Sequence, residues 1–215
     1  VERTGSTFET TLQGTFTDSN DTWFAPSDMT TGPDGAIYVC DWHDARMAHP
    51  DPDATWDRSN GRIYRIAPPA HPVEPAFDLR KKSNEELVSL LGHENAWFAR
   101  RARVLLASRD TTDVHEALAS NIAQSDNRTL AMESLWTKFA SGNYPPEELA
   151  GLLTHEDPMF RFWGVRLLGD QGDVSDASVK ALAELAKTET DVRVQSQLAS
   201  TAKRLAPEQT VQLID

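Results

Sequence analysis

Only one cysteine, Cys40, occurs in the 215 residues. A single thiol excludes an internal disulfide framework, a cysteine-based zinc site and the C-x-x-C-H attachment of a c-type haem. Its place among apolar strand positions suggests a small core residue rather than a nucleophile. Long apolar runs are missing too: none approaches the roughly 20 residues of a membrane-spanning helix. No signal-peptide pattern opens the chain, and its first residue is Val1, as expected after processing or truncation. Positive charge is scarce. Twenty-one Lys and Arg face 33 Asp and Glu, for a formal charge of −12. Such a surface repels the phosphates of nucleic acid and of anionic lipid. The acid excess is spread evenly, since residues 1–68 hold 11 acids against 5 bases and residues 69–215 hold 22 against 16. Each part is therefore net −6, and neither is an acidic tail.

Two different periods fill the chain. Residues 1–68 read as β. "STFETTL" offers a short strand, the stretch 23–31 a second, "AIYVCD" a third and "GRIYRI" a fourth, and the last three belong together. "GPDG" (32–35) is a turn: Pro33 presets φ, Asp34 can bond its own backbone, and Gly35 tolerates positive φ. A sheet this small has two open edges and an uncovered face, so it wants neighbours.

Residues 69–82, within the stretch "APPAHPVEPAFDLRKK" (67–82), are Pro-rich and read as an extended linker. From residue 83 the pattern is helical and repetitive. "ELVSLLGHENAWFARRARVLLAS" and "ELAGLLTHEDPMFRFWGVRLLGD" align Leu87 with Leu149, Leu91 with Leu153, His93 with His155 and Leu105 with Leu167, each pair 62 residues apart. Halving that offset locates two weaker copies, so residues 83–215 hold about four helix pairs, each with apolar residues at i, i+3 and i+4. Stacked pairs bury a continuous core and form a curved solenoid, and they resemble HEAT repeats, with Asp157 in a turn and Arg161 opening a second helix.

Taken together, "WFAPSDMTTGPDGAIYVCDWHD", "GRIYRIAP" and the repeat turns "LLGHENAWFARRA" and "FRFWGVRLLGD" resemble a membrane-bound dehydrogenase family of Planctomycetes and Verrucomicrobia type. Its relatives are quinoprotein glucose/sorbosone dehydrogenases. The resemblance implies a fold of β and α domains: the last blade of a β-propeller over 1–68, then the linker and a HEAT-like solenoid. It implies earlier blades upstream and a cytochrome c-type domain downstream, with pyrroloquinoline quinone and calcium in the parent and haem c only in the downstream domain. The activity it implies is oxidation of a sugar or aldehyde in the periplasm or at the cell surface, with the helical repeats as a scaffold toward the electron acceptor. One blade cannot by itself enclose a quinone. The alternative is a non-catalytic module, a solenoid that binds protein or polysaccharide, and a purely structural spacer is a third possibility.

Acids, histidines and aromatics crowd together between residues 41 and 62. Asp28, Asp41, His43 and His49 are the candidate metal ligands, and Asp44, Asp51, Asp53 and Asp57 lie near them in sequence. Asp41, Trp42 and Arg62 are the candidate cofactor contacts. Asp28 and Asp41 have a second reading, as acids that tie the strands together by accepting from backbone N–H groups. Arg62 and Arg65 are candidates to pair with those acids. In the helical part, Trp97, Trp136 and Trp163 read as interhelix packing. His93 and His155 read as turn-linking residues, because catalytic residues are rarely duplicated by a repeat. The basic stretch 99–103, "ARRAR", reads as paired with nearby acids.

Overall fold

The structure, a computed structural model, describes residues 1–44, 59–124, 126–172 and 174–214. Strands β1 (Glu2–Thr4) and β2 (Thr7–Glu9) form a hairpin of their own, closing Thr4 onto Thr7 with Gly5 at φ 63°. Strands β3 (Pro26–Thr31), β4 (Ile37–Asp41) and β5 (Arg62–Ile66) make a separate antiparallel sheet in that order. The β3–β4 turn is the "GPDG" segment. Gly35 N–H donates to the Gly32 carbonyl at 3.0 Å, Gly32 N–H to the Ala36 carbonyl at 2.9 Å, and Gly35 has φ 77°.

This arrangement corrects the expected propeller blade. A blade is a four-stranded sheet, and the described residues supply three strands plus an unconnected hairpin. The reason is local. All six residues of β1 and β2 are exposed, so no apolar stripe draws them onto the larger sheet, and the tight Gly5 turn satisfies their backbone within the hairpin.

The helices follow the 62-residue offset. Helix α1 (Asn84–Ser89) runs into a 3₁₀ turn at Leu90–Gly92 and is followed by α2 (Ala96–Ala107). The same unit recurs as α5 (Pro146–Gly151), a 3₁₀ turn at Leu152–Thr154 and α6 (Pro158–Asp170). Between and after them lie α3 (His115–Gln124) with α4 (Arg128–Ala140), and α7 (Asp176–Thr188) with α8 (Val192–Ala202), closed by α9 (Pro207–Ile214). Every second helix starts on an Asn or Asp. Asn95, Asn127, Asp157 and Asp191 each accept from a backbone N–H two or three residues on, at 2.8 to 3.1 Å. Such a cap contributes about 1 kcal/mol.

Helix α2 packs on α4, and α6 packs on α8. Leu87, Leu91, Leu106 and Leu118 centre one apolar cluster, and Leu135, Leu149, Val165, Leu168 and Leu182 centre the other. Ion pairs cross from one unit to the next. Arg128 clamps Asp157 with two bonds of 2.6 and 2.8 Å, and Arg161 clamps Glu189 with two of 2.6 and 2.9 Å. The paired histidines do what their register suggests: His93 Nδ1 accepts from Asn95 N–H at 2.9 Å and His155 Nδ1 from Asp157 N–H at 3.0 Å. Trp136 and Trp163 meet edge-on at 5.1 Å.

The sheet is fastened to the helices at the start of α2. The Asn95 amide nitrogen donates to the carbonyls of Gly32 and Pro33, at 3.0 and 3.1 Å, so the cap of α2 also holds the "GPDG" turn. The linker wraps the other side of that turn. His71 Nε2 lies 2.6 Å from the Asp34 carbonyl, and an Arg65 nitrogen donates to the Pro72 carbonyl at 2.9 Å.

Candidate functional site

Alternation along β4 separates two faces. Ile37, Val39 and Asp41 point one way, Tyr38 and Cys40 the other. The register sets Asp28 opposite Cys40 and Arg62 opposite Asp41. Asp28 and Asp41 therefore lie on opposite faces and do not converge. Cys40 is exposed, not a core residue, because its face of the sheet is open.

At the end of β4, Asp41 is 5% exposed. Its Oδ1 accepts from Ala25 N–H at 3.0 Å and from His43 N–H at 2.8 Å, tying β3 to β4 as in the second reading of this residue. Its Oδ2 has no hydrogen-bond partner among the described residues, and neither has His43 Nδ1. These two atoms face each other at 3.7 Å, and Asp21 Oδ2 lies 3.9 Å from the same nitrogen. His43 has φ 50°, an uncommon conformation for a non-glycine residue, and its ring lies 5.9 Å from that of Trp23. Trp42, 56% exposed, donates its backbone N–H to the Ala25 carbonyl at 3.0 Å.

Of the candidate ligands among the described residues, Asp41 and His43 come together, joined by Asp21, which sequence reasoning did not select. His49, Asp51, Asp53 and Asp57 lie outside the described residues. Asp28 Oδ1 accepts from Met29 N–H at 2.8 Å. Among the described residues no group of three or more His, Cys, Asp or Glu is disposed to hold a metal ion. Nor do these residues fit an anionic quinone. The corner of Asp21, Asp41 and His43 is rich in acceptors, and the Arg62 guanidinium is bonded to the Asn60 carbonyl at 3.1 Å. A carboxylate-bearing quinone needs cationic or N–H donors, which the described residues of this corner do not gather.

Arg65 pairs with a different acid from the two expected. Its Nε donates to Asp34 Oδ2 at 2.7 Å, and the Tyr38 hydroxyl reaches the same oxygen at 3.2 Å. Desolvation pushes the Asp34 carboxyl upward, but the bonds from Arg65, Ala36 N–H and Tyr38 together hold it below the usual carboxylate range. In the helices, burial pushes the Tyr144 hydroxyl up to about 12, with the Glu148 carboxylate adding to it. Burial also raises Glu133 against the pull of Arg103, whose guanidinium is 2.5 Å away.

The second concave feature lies where sheet meets helix. The face bearing Asp28, Tyr38, Cys40 and Ile63 looks across a cavity of about 340 Å³ to Trp97 of α2. Periodicity could not reveal it, since its walls come from residues about 60 positions apart.

The fold thus defines a class: a small open sheet clamped to a run of helix pairs. Residues 1–70 match the family described as a domain of unknown function (DUF7133), a match that covers the hairpin and the sheet and stops before the helices. No curated protein and no solved structure matches the chain. Among the described residues no helix is long and apolar enough to cross a membrane.

Proposed function

We propose that the chain is a protein-binding module that takes an extended, basic segment of a partner along the outer edge of β3. The observation that carries this reading is the state of that strand. All six of its residues are exposed, and its outer edge has no strand partner among the described residues. An open edge is a template for a further strand, which gains affinity from main-chain hydrogen bonds. Proteins usually blunt such edges with Lys or Pro. Here Pro26 stands only at the start, and "PSDMTT" contains no basic residue.

Charge supports a basic occupant. Asp28 lies on the strand itself, Asp21 and Asp41 stand near its beginning, and residues 1–68 hold 11 acids against 5 bases. The Asn95 clamp supports a scaffold role for the helices, which hold the sheet in a fixed pose. A pre-organised edge loses less entropy on binding than a mobile one. The dehydrogenase reading draws on the resemblance of the motifs alone, and the described residues of the acceptor-rich corner give it no support.

The test is fluorescence anisotropy with two labelled short peptides of Thr and Val, one carrying Arg and Lys, the other Glu at the same positions. The basic peptide should bind, more weakly as salt rises, and the acidic one should not. Equal affinities, or no binding of the basic peptide at low salt, would overturn the reading.

A further inference from the structure

We propose that the cavity between the sheet and α2 receives the side chain of one arginine from the bound segment; this rests on the binding reading above. Two aromatic walls define the slot. The Tyr38 ring is held by its hydroxyl bond to Asp34, and a Cβ on Gly32 would fall 2.2 Å from Tyr38 Cε2, so Gly32 leaves the space that this ring occupies. The Trp97 indole is braced edge-on by Phe77 at 5.7 Å and by Phe98 at 5.1 Å. Between the walls the lining is mostly apolar, with Ile63, opposite Cys40 in the sheet, 71% exposed.

Among the described residues one carboxylate lines the cavity, that of Asp28, and no basic side chain does. Asp28 Oδ1 accepts from its neighbour's N–H, while its Oδ2 takes no hydrogen bond among the described residues. An apolar slot with aromatic walls and one acid suits a side chain with a methylene stem and a flat cationic head. The stem lies along Ile63, and the guanidinium stacks on the indole or phenol and bonds Asp28. Arginine fits better than lysine because its head is planar, weakly hydrated and forked. A neutral ring of the same size would instead leave the acid desolvated and unpaired.

The experiment uses the whole chain and three peptides that differ at one position: Arg, its neutral isostere citrulline, or Lys. The Arg peptide should bind about tenfold more tightly than the citrulline peptide, the effect of one charge-assisted hydrogen bond. In Asp28→Asn, which keeps an oxygen for Met29 N–H, that advantage should shrink to within about twofold. The exposed Cys40 thiol on the cavity wall is the second readout: the Arg peptide should slow its alkylation by iodoacetamide more than the citrulline peptide does. Binding of all three peptides with equal affinity, or an Arg advantage that survives Asp28→Asn, would overturn the slot and leave the strand-edge reading standing. Failure of all three to bind would remove both.

Discussion

Asn95 and Pro33 are 62 residues apart in sequence and joined by a hydrogen bond, the Asn95 amide donating to the Pro33 carbonyl at 3.1 Å. The same side chain caps α2 by accepting from Trp97 N–H at 3.0 Å, so one residue begins a helix and fixes a β-turn. Substituting it separates the two roles. Asn95→Asp keeps an oxygen for the cap but turns an acceptor toward the Gly32 and Pro33 carbonyls. It should lose about 1–3 kcal/mol with helical circular dichroism unchanged. Asn95→Ala should lose the cap as well, about 1 kcal/mol more. An Asn95→Asp protein as stable in urea as the parent would show that the clamp contributes nothing.

Asp41 is buried with one oxygen doubly bonded and the other facing His43 Nδ1. Asp41→Asn retains the acceptor for Ala25 and His43 N–H and presents an NH₂ group to the imidazole. Its stability should be equal to or greater than that of the parent. Asp41→Ala leaves two N–H groups without their acceptor and should cost about 2–4 kcal/mol. Urea denaturation of both variants at neutral pH distinguishes these outcomes, and equal losses in the two would contradict the geometry.

Gly164 of α6 sits against the first helix and the 3₁₀ turn of its own unit. A Cβ there would lie 2.9 Å from Leu152 Cβ and 3.4 Å from the Leu149 carbonyl, neither of which is the free end of a flexible side chain. Gly164→Ala gains up to about 1 kcal/mol in helix propensity but must push two packed elements apart, at about 1–3 kcal/mol. The clash wins, and the melting temperature should fall. A rise would mean that α5 and α6 are packed less tightly than described.

Acid should act on two helical carboxylates with opposite sign. The Arg161 bonds, with smaller help from two backbone N–H groups, hold Glu189 below its ordinary 4.5. Its stabilising contribution is therefore present above about pH 4.5 and is lost as pH falls through the lower folded value. Glu133 behaves in the opposite sense. Burial raises it, so its relative contribution is greatest below pH 4.5 and declines as pH rises through the folded value. Thermal melts from pH 3 to 7 should show Glu189→Gln flattening the acid limb, and Glu133→Gln more favourable at pH 7 than at pH 4. The same sign for both would refute the assignment.

Much of the helical half was legible, because each pair repeats at 62 residues and its caps fall on Asn or Asp just before the second helix. His93 and His155 declared their turn role through that register. The three-stranded sheet was legible from the alternation in "GRIYRI" and the turn chemistry of "GPDG". Among the described residues the expected blade is not formed. The three strands expected together do form one sheet, but among the described residues no fourth strand joins them, and residues 2–9 pair with themselves in an exposed hairpin. The opposite facing of Asp28 and Asp41 required the strand register, including the irregularity between Pro26 and Asp28. The Asp34–Arg65 pair, the Asn95 clamp and the slot beneath Trp97 join residues 31 to about 70 positions apart, beyond any local pattern.

The central claim is that the β3 edge takes a basic strand. It is tested most directly by titrating the isotope-labelled chain with the Arg-containing peptide and following each backbone amide by NMR. The account predicts perturbation and slowed hydrogen exchange at Ser27–Thr31, with changes at Tyr38, Cys40 and Trp97 and little effect in α6 to α9. Perturbations confined to the β1–β2 hairpin or to the helices, with the β3 amides unmoved, would contradict it.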